Sequence, residues 1–452
     1  MLYLSPEVAQ AVDQPARFIK QKVIIYFDGM EPQVFDSDNR IVDCSILEEV
    51  STDGKTPLGD VTTNELTVTL LNFDKAFTIN NKEGQYFGKL LPNVKVKVFY
   101  LIETTPDHFE EIPMGTYYTS EWQSNSDSGN ATVTCYDILS IWGQYDIPQL
   151  EVKRNMPLAT AITTVLKAVG LTEEQFVIDT KISYVLPFVW FPKVKLIKYL
   201  QMIASGYGCL VYVNRQNVLV FKYARKMLDP VAVISDENQI TGMKLQQSSL
   251  DLYSTINIKF GMYQQSKREL LLELKEYTLH PGENHINNLV FSKCPCVYVE
   301  SVMLSGALTS QVEQMNYDSW NASLVINNTQ DQDEQVDIRI YGYMLEKVQV
   351  TKTVTNSNLL NSLGMKPLEL DTEIIQDEQA AQTFANTLLS MVSNYDTKLE
   401  IPVRGNPLLE LGDTVTIQDP SDGVVGDYLL LRADYKYTGS LESTITVAKV
   451  GE

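Results

Sequence analysis

The feature that most constrains this chain is a succession of strand patterns that occurs twice. Residues 92–98 alternate apolar and polar side chains, and similar runs follow at 115–122 and 131–135. Such alternation predicts half-buried β-strands. A second set of runs follows in the same order and at nearly the same spacing, at 411–417, 426–433 and 443–447. Short strand patterns also match by chance, but the shared order favours an internal duplication and predicts two related antiparallel β-barrels.

The longest helical pattern in the chain lies at 373–394, directly before the second set of runs. Its apolar residues recur at three- and four-residue spacing and form one stripe: Ala381, Phe384, Ala385, Leu388 and Val392. Asp371, Thr372 and Asp377 are alternative N-caps. A helix with one apolar stripe needs a surface to cover, so we expect this helix to pack on the barrel that follows it.

The length of 452 residues and the apolar content of 44% are sufficient for several packed domains. Residues 157–169 and 195–207 have the spacing of short amphipathic helices, and 209–223 has the pattern of a hairpin that turns near 214–217. Strand patterns return from 240 to 343. We therefore expect a mainly β chain with an α+β insert, divided into a first β-barrel domain at 1–148, the insert at 149–227, a β-rich connecting domain at 228–345 that partly completes the first barrel, and a second β-barrel domain at 346–452 with the helix at 373–394.

The net charge of −21 and the pI near 4.6 argue against nucleic-acid binding by phosphate neutralisation, because that mode requires a basic surface. The charge fits a soluble surface, or one that must not retain a passing polyanion. The start of the chain lacks a basic region followed by a long apolar run, and no stretch reaches the length of a membrane span. We expect the chain to fold in a cytoplasm.

Few residues of the types that catalyse reactions or bind metals occur at a spacing that fits such a role. His280 and His285 are five residues apart across Pro281 and Gly282, which excludes the helical metalloprotease motif; His108 stands alone. The sequence contains no nucleophile elbow, phosphate-binding loop or dinucleotide fingerprint. We predict no catalytic, cofactor-binding or metal-binding residues and no enzymatic activity.

Other polar clusters have simpler interpretations. The five scattered cysteines are expected to be reduced and buried, since Cys294 and Cys296 have no second Cys or His pair to complete a metal site. We interpret the acidic pairs at 48–49 and 110–111 as solvated strand ends. The acidic segment 327–334 lacks the spaced ligands and the glycine of a calcium loop, so we interpret it as a solvated loop.

Four further pieces of sequence occur in a characteristic order. They are the opening residues 4–6 with the strand that ends at 26–29, the run 67–74, the segment 406–413 after the late helix, and the closing turn at 437–441. In this order the sequence resembles the hub proteins of phage tail tips and baseplates, a group that includes the N-terminal hub modules of tail-associated proteins. The resemblance implies two tube-type barrels per chain and a homotrimer that closes a ring of six barrels.

The resemblance also implies partners and a location. The expected role is a structural baseplate or tail-tip hub of a phage tail or related injection particle, which adapts a hexameric tail tube above to a threefold spike, fibre or lytic protein below. The tape-measure protein is a further candidate partner. DNA would pass through the ring without specific binding, and an acidic lining would repel it. We expect the protein in the virion after assembly in the bacterial host cytoplasm, with a lytic or receptor-binding function on a separate chain. The alternatives are a tail-associated cell-wall hydrolase and a carbohydrate-binding adhesin.

Overall fold

A computed structural model describes residues 1–50, 60–125, 127–224, 228–235, 252–393, 398–421 and 423–449. The chain is mainly β, with antiparallel sheets and a smaller α+β part, as predicted. Residues 240–251, for which we predicted strands, and residue 394, the last of the predicted late helix, lie outside the described residues.

The first region begins with a short helix and continues with seven strands. Its elements are α1 (Pro6–Asp13), β1 (Ile19–Tyr26), β2 (Gln33–Asp36), β3 (Ile41–Glu49), β4 (Glu65–Leu71), β5 (Lys95–Thr105), β6 (His108–Asn125), β7 (Asn130–Tyr136) and α2 (Leu139–Trp142). Helix α1 was not predicted, although Ser5 caps it by accepting a hydrogen bond from the Val8 amide and Pro6 occupies its first turn.

The second region is the predicted α+β insert. Its elements are β8 (Lys153–Pro157), α3 (Leu158–Ala168), β9 (Phe176–Ile178), β10 (Val185–Val189), α4 (Leu196–Ile203), β11 (Cys209–Val213) and β12 (Leu219–Tyr223). Both predicted helices and the hairpin are confirmed. Helix α4 continues into a π-helical turn, Ala204–Gly208, before the hairpin begins. The helices and the hairpin enclose a core of their own.

The third region is a run of strands. Its elements are β13 (Ala232–Ser235), β14 (Thr255–Gln265), β15 (Glu269–Leu279), β16 (Gly282–Val290), β17 (Cys296–Ser305), β18 (Gln311–Tyr317), β19 (Asn321–Asn328), β20 (Glu334–Thr355), α5 (Ser357–Leu363) and β21 (Pro367–Thr372). One sheet has five strands, in the order β15-β20-β14-β21 with β17 also paired to β20. Its β15-β20-β17 part shares one apolar cluster with the three-stranded sheet β16-β19-β18. Strand β20 is 22 residues long and runs through the boundary that we expected at 345–346.

The last region contains the long helix and four strands. Its elements are α6 (Glu378–Val392), β22 (Lys398–Val403), β23 (Thr414–Asp419), β24 (Val424–Tyr437) and β25 (Leu441–Ala448). These four strands join the seven of the first region and β13 in one twelve-stranded sheet. Strand β13 pairs with β23, so it extends the second set of strands, whereas we expected its region to complete the first.

The two sets of strands enclose a shared core. Val96 and Val133 from the first set and Ile417 and Ile445 from the second belong to the same buried cluster. As predicted, Val96 and its alternating neighbours are buried, whereas Lys95 is exposed. We call the first set (β1–β7) the first β unit, and the second set (β22–β25, with β13) the second β unit. The two β units are therefore joined through their interiors as well as through their strands.

Helix α6 buries the predicted stripe but covers a different surface. It begins at Glu378, and Asp377 caps it by accepting a hydrogen bond from the Ala380 amide at 2.8 Å. Ala381, Phe384, Ala385, Leu388 and Val392 are all buried. The helix packs mainly on β14 and β20, and the same cluster includes Leu429 and Leu431 of β24. The barrel that follows the helix is only one part of its cover, because the β14–β20 sheet shields the rest of the stripe.

Candidate assembly site

The two β units share one strand order and one pairing register. Strands β5, β6 and β7 pair in sequence, as do β23, β24 and β25. Val98 pairs with Gly115 in the first unit, and Ile417 pairs with Gly426 in the second. These are the positions that the repeated sequence pattern makes equivalent. Strands β4 and β22 extend the match, because each pairs antiparallel with the last strand of its set.

An irregularity in the pairing is repeated as well. The register with the last strand shifts between Thr119 and Glu121 in β6, and between Leu430 and Arg432 in β24. The Thr119 amide donates to the Val94 carbonyl at 2.9 Å, and the Leu430 amide donates to the Asp413 carbonyl at 2.8 Å. A bulge is a local feature and not a general property of paired strands. Its presence at equivalent positions confirms the predicted duplication and disfavours chance similarity.

The two units meet edge to edge at one joint. Residues 432–437 of β24 pair antiparallel with residues 44–49 of β3, so the first unit continues directly into the second. Tyr435 and Tyr437 of β24 are buried opposite Ile46 and Cys44 of β3. A sheet edge that would otherwise be open to another chain is therefore paired within this one.

A buried ion pair joins the insert to this joint. Arg215 lies in the turn between β11 and β12, and its guanidinium donates two hydrogen bonds to the Glu48 carboxylate, at 2.6 and 2.8 Å. It also donates to the carbonyls of Pro407 and Leu409 and to the Tyr435 hydroxyl. The exposed fractions are 6% for Arg215 and 4% for Glu48. One side chain therefore connects the insert with both β units.

Electrostatics favours the charged form of this arginine. Burial by itself lowers the pKa of Arg215, but the neighbouring Glu48 carboxylate outweighs burial, so the pKa is raised above its usual value. Burial raises the pKa of Tyr435, which keeps its hydroxyl protonated. The guanidinium is thus a permanent cation that lies between a carboxylate, a neutral hydroxyl and backbone carbonyls. A buried cation with these partners has a structural role.

Two of the acidic clusters differ from our interpretation as solvated groups. Glu48 and Glu49 end strand β3 but are buried, because the insert hairpin and β24 cover them. In the segment 327–334 the turn is exposed, yet Glu334 at its end is buried and accepts hydrogen bonds from the Ser310 hydroxyl and the Leu308 amide. The pair at 110–111 is less buried, and Glu111 forms an ion pair with Lys22 at 2.6 Å.

A second buried carboxyl lies where the first β unit meets the insert. Asp137 follows β7 and accepts hydrogen bonds from the Asn64 amide at 2.8 Å and the Leu139 amide at 2.9 Å. Burial raises its pKa to about 7 despite these hydrogen bonds. The Asn64 side chain in turn donates to the Val213 carbonyl of the hairpin at 2.9 Å. The insert is fixed to the sheet at this end too.

The face of the large sheet that points away from the shared core carries mixed charge. Directly paired residues lie on the same side of a sheet, so the pairing register defines this face. Its basic residues are Lys20, Lys22, Lys95, Lys97, Lys398, Arg432 and Lys436, and its acidic residues are Asp36, Asp43, Glu49, Glu65, Glu103, Glu111, Glu121, Glu400, Asp427, Asp434 and Glu442. Uncharged Thr67, Thr69, Thr132 and Thr134 lie between them. We call this surface the polar sheet face.

The three histidines, which the sequence analysis considered as possible catalytic or metal-binding residues, lie apart from the joint. His280 Nδ1 lies 2.9 Å from Asp333 Oδ1, and His285 Nε2 lies 3.5 Å from Glu283 Oε2, all with exposed side chains. His108 begins β6. Within the described ranges, no group of three or more His, Cys, Asp or Glu side chains is arranged to hold a metal ion.

The cysteines are free thiols in apolar surroundings. Cys44, Cys135, Cys209 and Cys296 are buried, and Cys294 is partly exposed. Burial raises the pKa of Cys44 and of Cys296 to about 12, so both thiols are protonated at neutral pH.

None of the helices that the structure describes has the length and apolarity to cross a membrane.

The sequence matches no family model and no curated protein. Solved structures, in contrast, match almost the entire chain. The 43 kDa tail protein of prophage MuSo2 from Shewanella oneidensis aligns with a TM-score of 0.54 at 12% identity, covering 95% of this chain and 98% of that one. The chain has the fold of phage tail proteins. The tail protein from Neisseria meningitidis MC58 also aligns with a TM-score of 0.54, at 10% identity, over 95% of this chain and 96% of that one. The resemblance seen in the sequence is thereby confirmed at the level of the fold.

Proposed function

We propose that this protein is a structural hub of a phage tail tip or baseplate, or of a related injection particle, and that three copies form a ring of six β units. The observation that carries the proposal is the duplication, in which two units with the same strand order and register are joined edge to edge. Three such chains present six similar units around one axis. A threefold assembly can then match a sixfold tail tube on one side and a threefold tip on the other.

In this proposal the chain acts by assembly and catalyses no reaction. Its partners are tail-tube proteins above, a spike, fibre or lytic protein below, and the tape-measure protein. Its place is the virion, after assembly in the cytoplasm of the bacterial host. The tight connection of the insert to the joint supports a rigid adaptor, because Arg215 links three regions of the chain through buried hydrogen bonds.

We assign the polar sheet face to the wall of the central channel. This face is polar and carries eleven acidic and seven basic residues. The resulting net charge of −4 on this face is a small part of the −21 of the whole chain. A weakly acidic wall repels DNA phosphates weakly and offers them no net attraction. The proposed wall is thus weakly acidic, in the sense that the overall charge suggested.

Light scattering of the purified chain, alone and co-expressed with the neighbouring tail proteins, tests the proposal. A particle mass of three chains is expected in at least one condition. A mass of one chain in both conditions contradicts the proposal and favours the adhesin, for which saturable glycan binding is the next measurement. Cleavage of cell-wall sacculi by the pure protein, lost on substitution of a single carboxylate, would contradict the structural role.

A further inference from the structure

Strand β6 has an unpaired edge at its C-terminal end. Its pairing with β5 ends at Tyr118, whereas its pairing with β7 continues to Asn125. On the side away from β7, residues 121–125 have no strand partner in the part of the chain that the structure describes. We call this segment the β6 edge. Its backbone groups are available to a further strand.

The equivalent edge in the second unit is occupied. The repeated bulge aligns Glu121 of β6 with Arg432 of β24, so the β6 edge corresponds to the segment of β24 that begins at Arg432. That segment pairs with residues 44–49 of β3 and forms the joint between the two units. The same backbone edge thus exists twice in the chain, and the residues that the structure describes fill only one of the two.

The side chains at the two edges differ in polarity. In the joint, Tyr435 is buried against the first unit. The residue equivalent to Tyr435 at the β6 edge is Ser124, which is exposed, as are Glu121 and Gln123. Polar residues keep an open edge soluble and prevent uncontrolled strand addition. A partner strand here would bind more weakly than β3 binds in the joint, which suits a contact that forms only during assembly.

Two features beside the β6 edge favour a protein partner. Trp122 is buried, and its indole N–H has no acceptor among the described residues. Leu91 is 49% exposed and lies next to the edge, because its carbonyl accepts a hydrogen bond from the Thr119 hydroxyl at 2.6 Å. A strand added at the edge would lie beside Leu91 and cover this exposed apolar side chain.

We propose that the β6 edge binds a strand from a second copy of this chain. The occupant follows from continuity with the joint, because the second unit already uses the equivalent edge to bind this chain's own first unit. The inference rests on the proposed ring and specifies where one chain meets the next. It also makes the joints in the ring unequal, with apolar joints inside each chain alternating with polar joints between chains.

Hydrogen exchange of the full chain, compared between its single-chain and assembled forms, tests the contact directly. We expect those amides of 121–125 that point away from β7 to exchange at least about tenfold more slowly in the assembly, since strand addition removes them from water. The amides of 44–49 are the internal control, because the joint protects them in both forms.

Substitutions at position 124 test the occupant. Ser124→Asp places a carboxylate where Tyr435 is buried in the joint, so it is expected to weaken self-association at least about tenfold. Ser124→Tyr copies the joint and is expected to strengthen it. Ser128→Asp is the matched control, because Ser128 lies in the exposed turn of the same hairpin. Unchanged unfolding temperatures of the variants show that the single chain remains folded.

The outcomes separate this inference from the ring proposal. Assembly in which the amides of 121–125 that point away from β7 still exchange fast, or in which Ser124→Asp equals Ser128→Asp, overturns the β6 edge as the contact and leaves the ring intact. Protection that appears only when another tail protein is added overturns the second copy as the occupant. Absence of self-association in every condition overturns the ring and this contact together.

Discussion

Replacement of Arg215 by methionine removes a buried cation that connects the insert with both β units. Methionine keeps much of the side-chain volume but leaves the buried Glu48 carboxylate without a partner. Removal of one member of a buried ion pair costs about 3–5 kcal/mol. The carbonyl of Leu409 also loses a donor, which adds about 1 kcal/mol. We therefore expect Arg215→Met to lower the free energy of unfolding by about 4–6 kcal/mol.

Denaturant unfolding of three variants checks this expectation. Arg215→Met and Glu48→Gln are compared singly and together, so that the double-mutant cycle isolates their coupling. The double variant is expected to be more stable than Arg215→Met alone, because no charge remains buried without a partner. Arg339→Met is the control, since Arg339 forms its ion pairs at the surface, and its unfolding midpoint should not change. A wild-type midpoint for Arg215→Met, or absence of coupling, would refute the reasoning.

Three further predictions concern the pH dependence and the packing of the chain. The folded-state pKa of Asp137, about 7, exceeds its unfolded value near 4, so its contribution to stability is complete below about pH 4 and is lost as the pH rises to 7. The free energy of unfolding should therefore fall by on the order of 4 kcal/mol between these pH values, and Asp137→Asn should remove this fall when urea unfolding is measured across the range. An equal pH dependence in both proteins would show that Asp137 titrates normally. Leu388→Asp buries a carboxylate under α6 and should lower the thermal unfolding temperature by many degrees; an unchanged temperature would mean that this face of the helix is not buried. Gly115→Ala should destabilise the protein more than Gly426→Ala. A Cβ at Gly115 would lie 2.8 Å from the Tyr117 ring, whereas the nearest atom to a Cβ at Gly426 would be 3.7 Å away. Equal losses in the free energy of chemical unfolding would contradict this.

Local periodicity predicted most of the elements and the duplication. The alternation around Val96 determines which residues face the core, and the stripe that includes Leu388 determines which face of α6 is buried. The equivalence of Gly115 and Gly426 was visible in the sequence because both follow runs of the same pattern at similar spacing. These properties depend on neighbours along the chain, which is why one sequence is sufficient to find them.

The features that connect distant regions could not be predicted in this way. Arg215 occurs in a polar turn, where a charged residue normally faces water, and no local pattern distinguishes it from an exposed arginine. Its burial depends on Glu48, which is 167 positions away along the chain. The cover of α6 was missed for the same reason, since an apolar stripe shows that a surface is needed but not which sheet supplies it. The joint between β3 and β24 likewise depends on tertiary placement.

Electron microscopy of the concentrated protein, alone and together with its neighbouring tail proteins, tests the central claim most directly. The account predicts rings of three chains with a central hole, a sixfold outline at low resolution and true threefold symmetry at higher resolution. Particles that contain a single chain, with the partner proteins present, would contradict it.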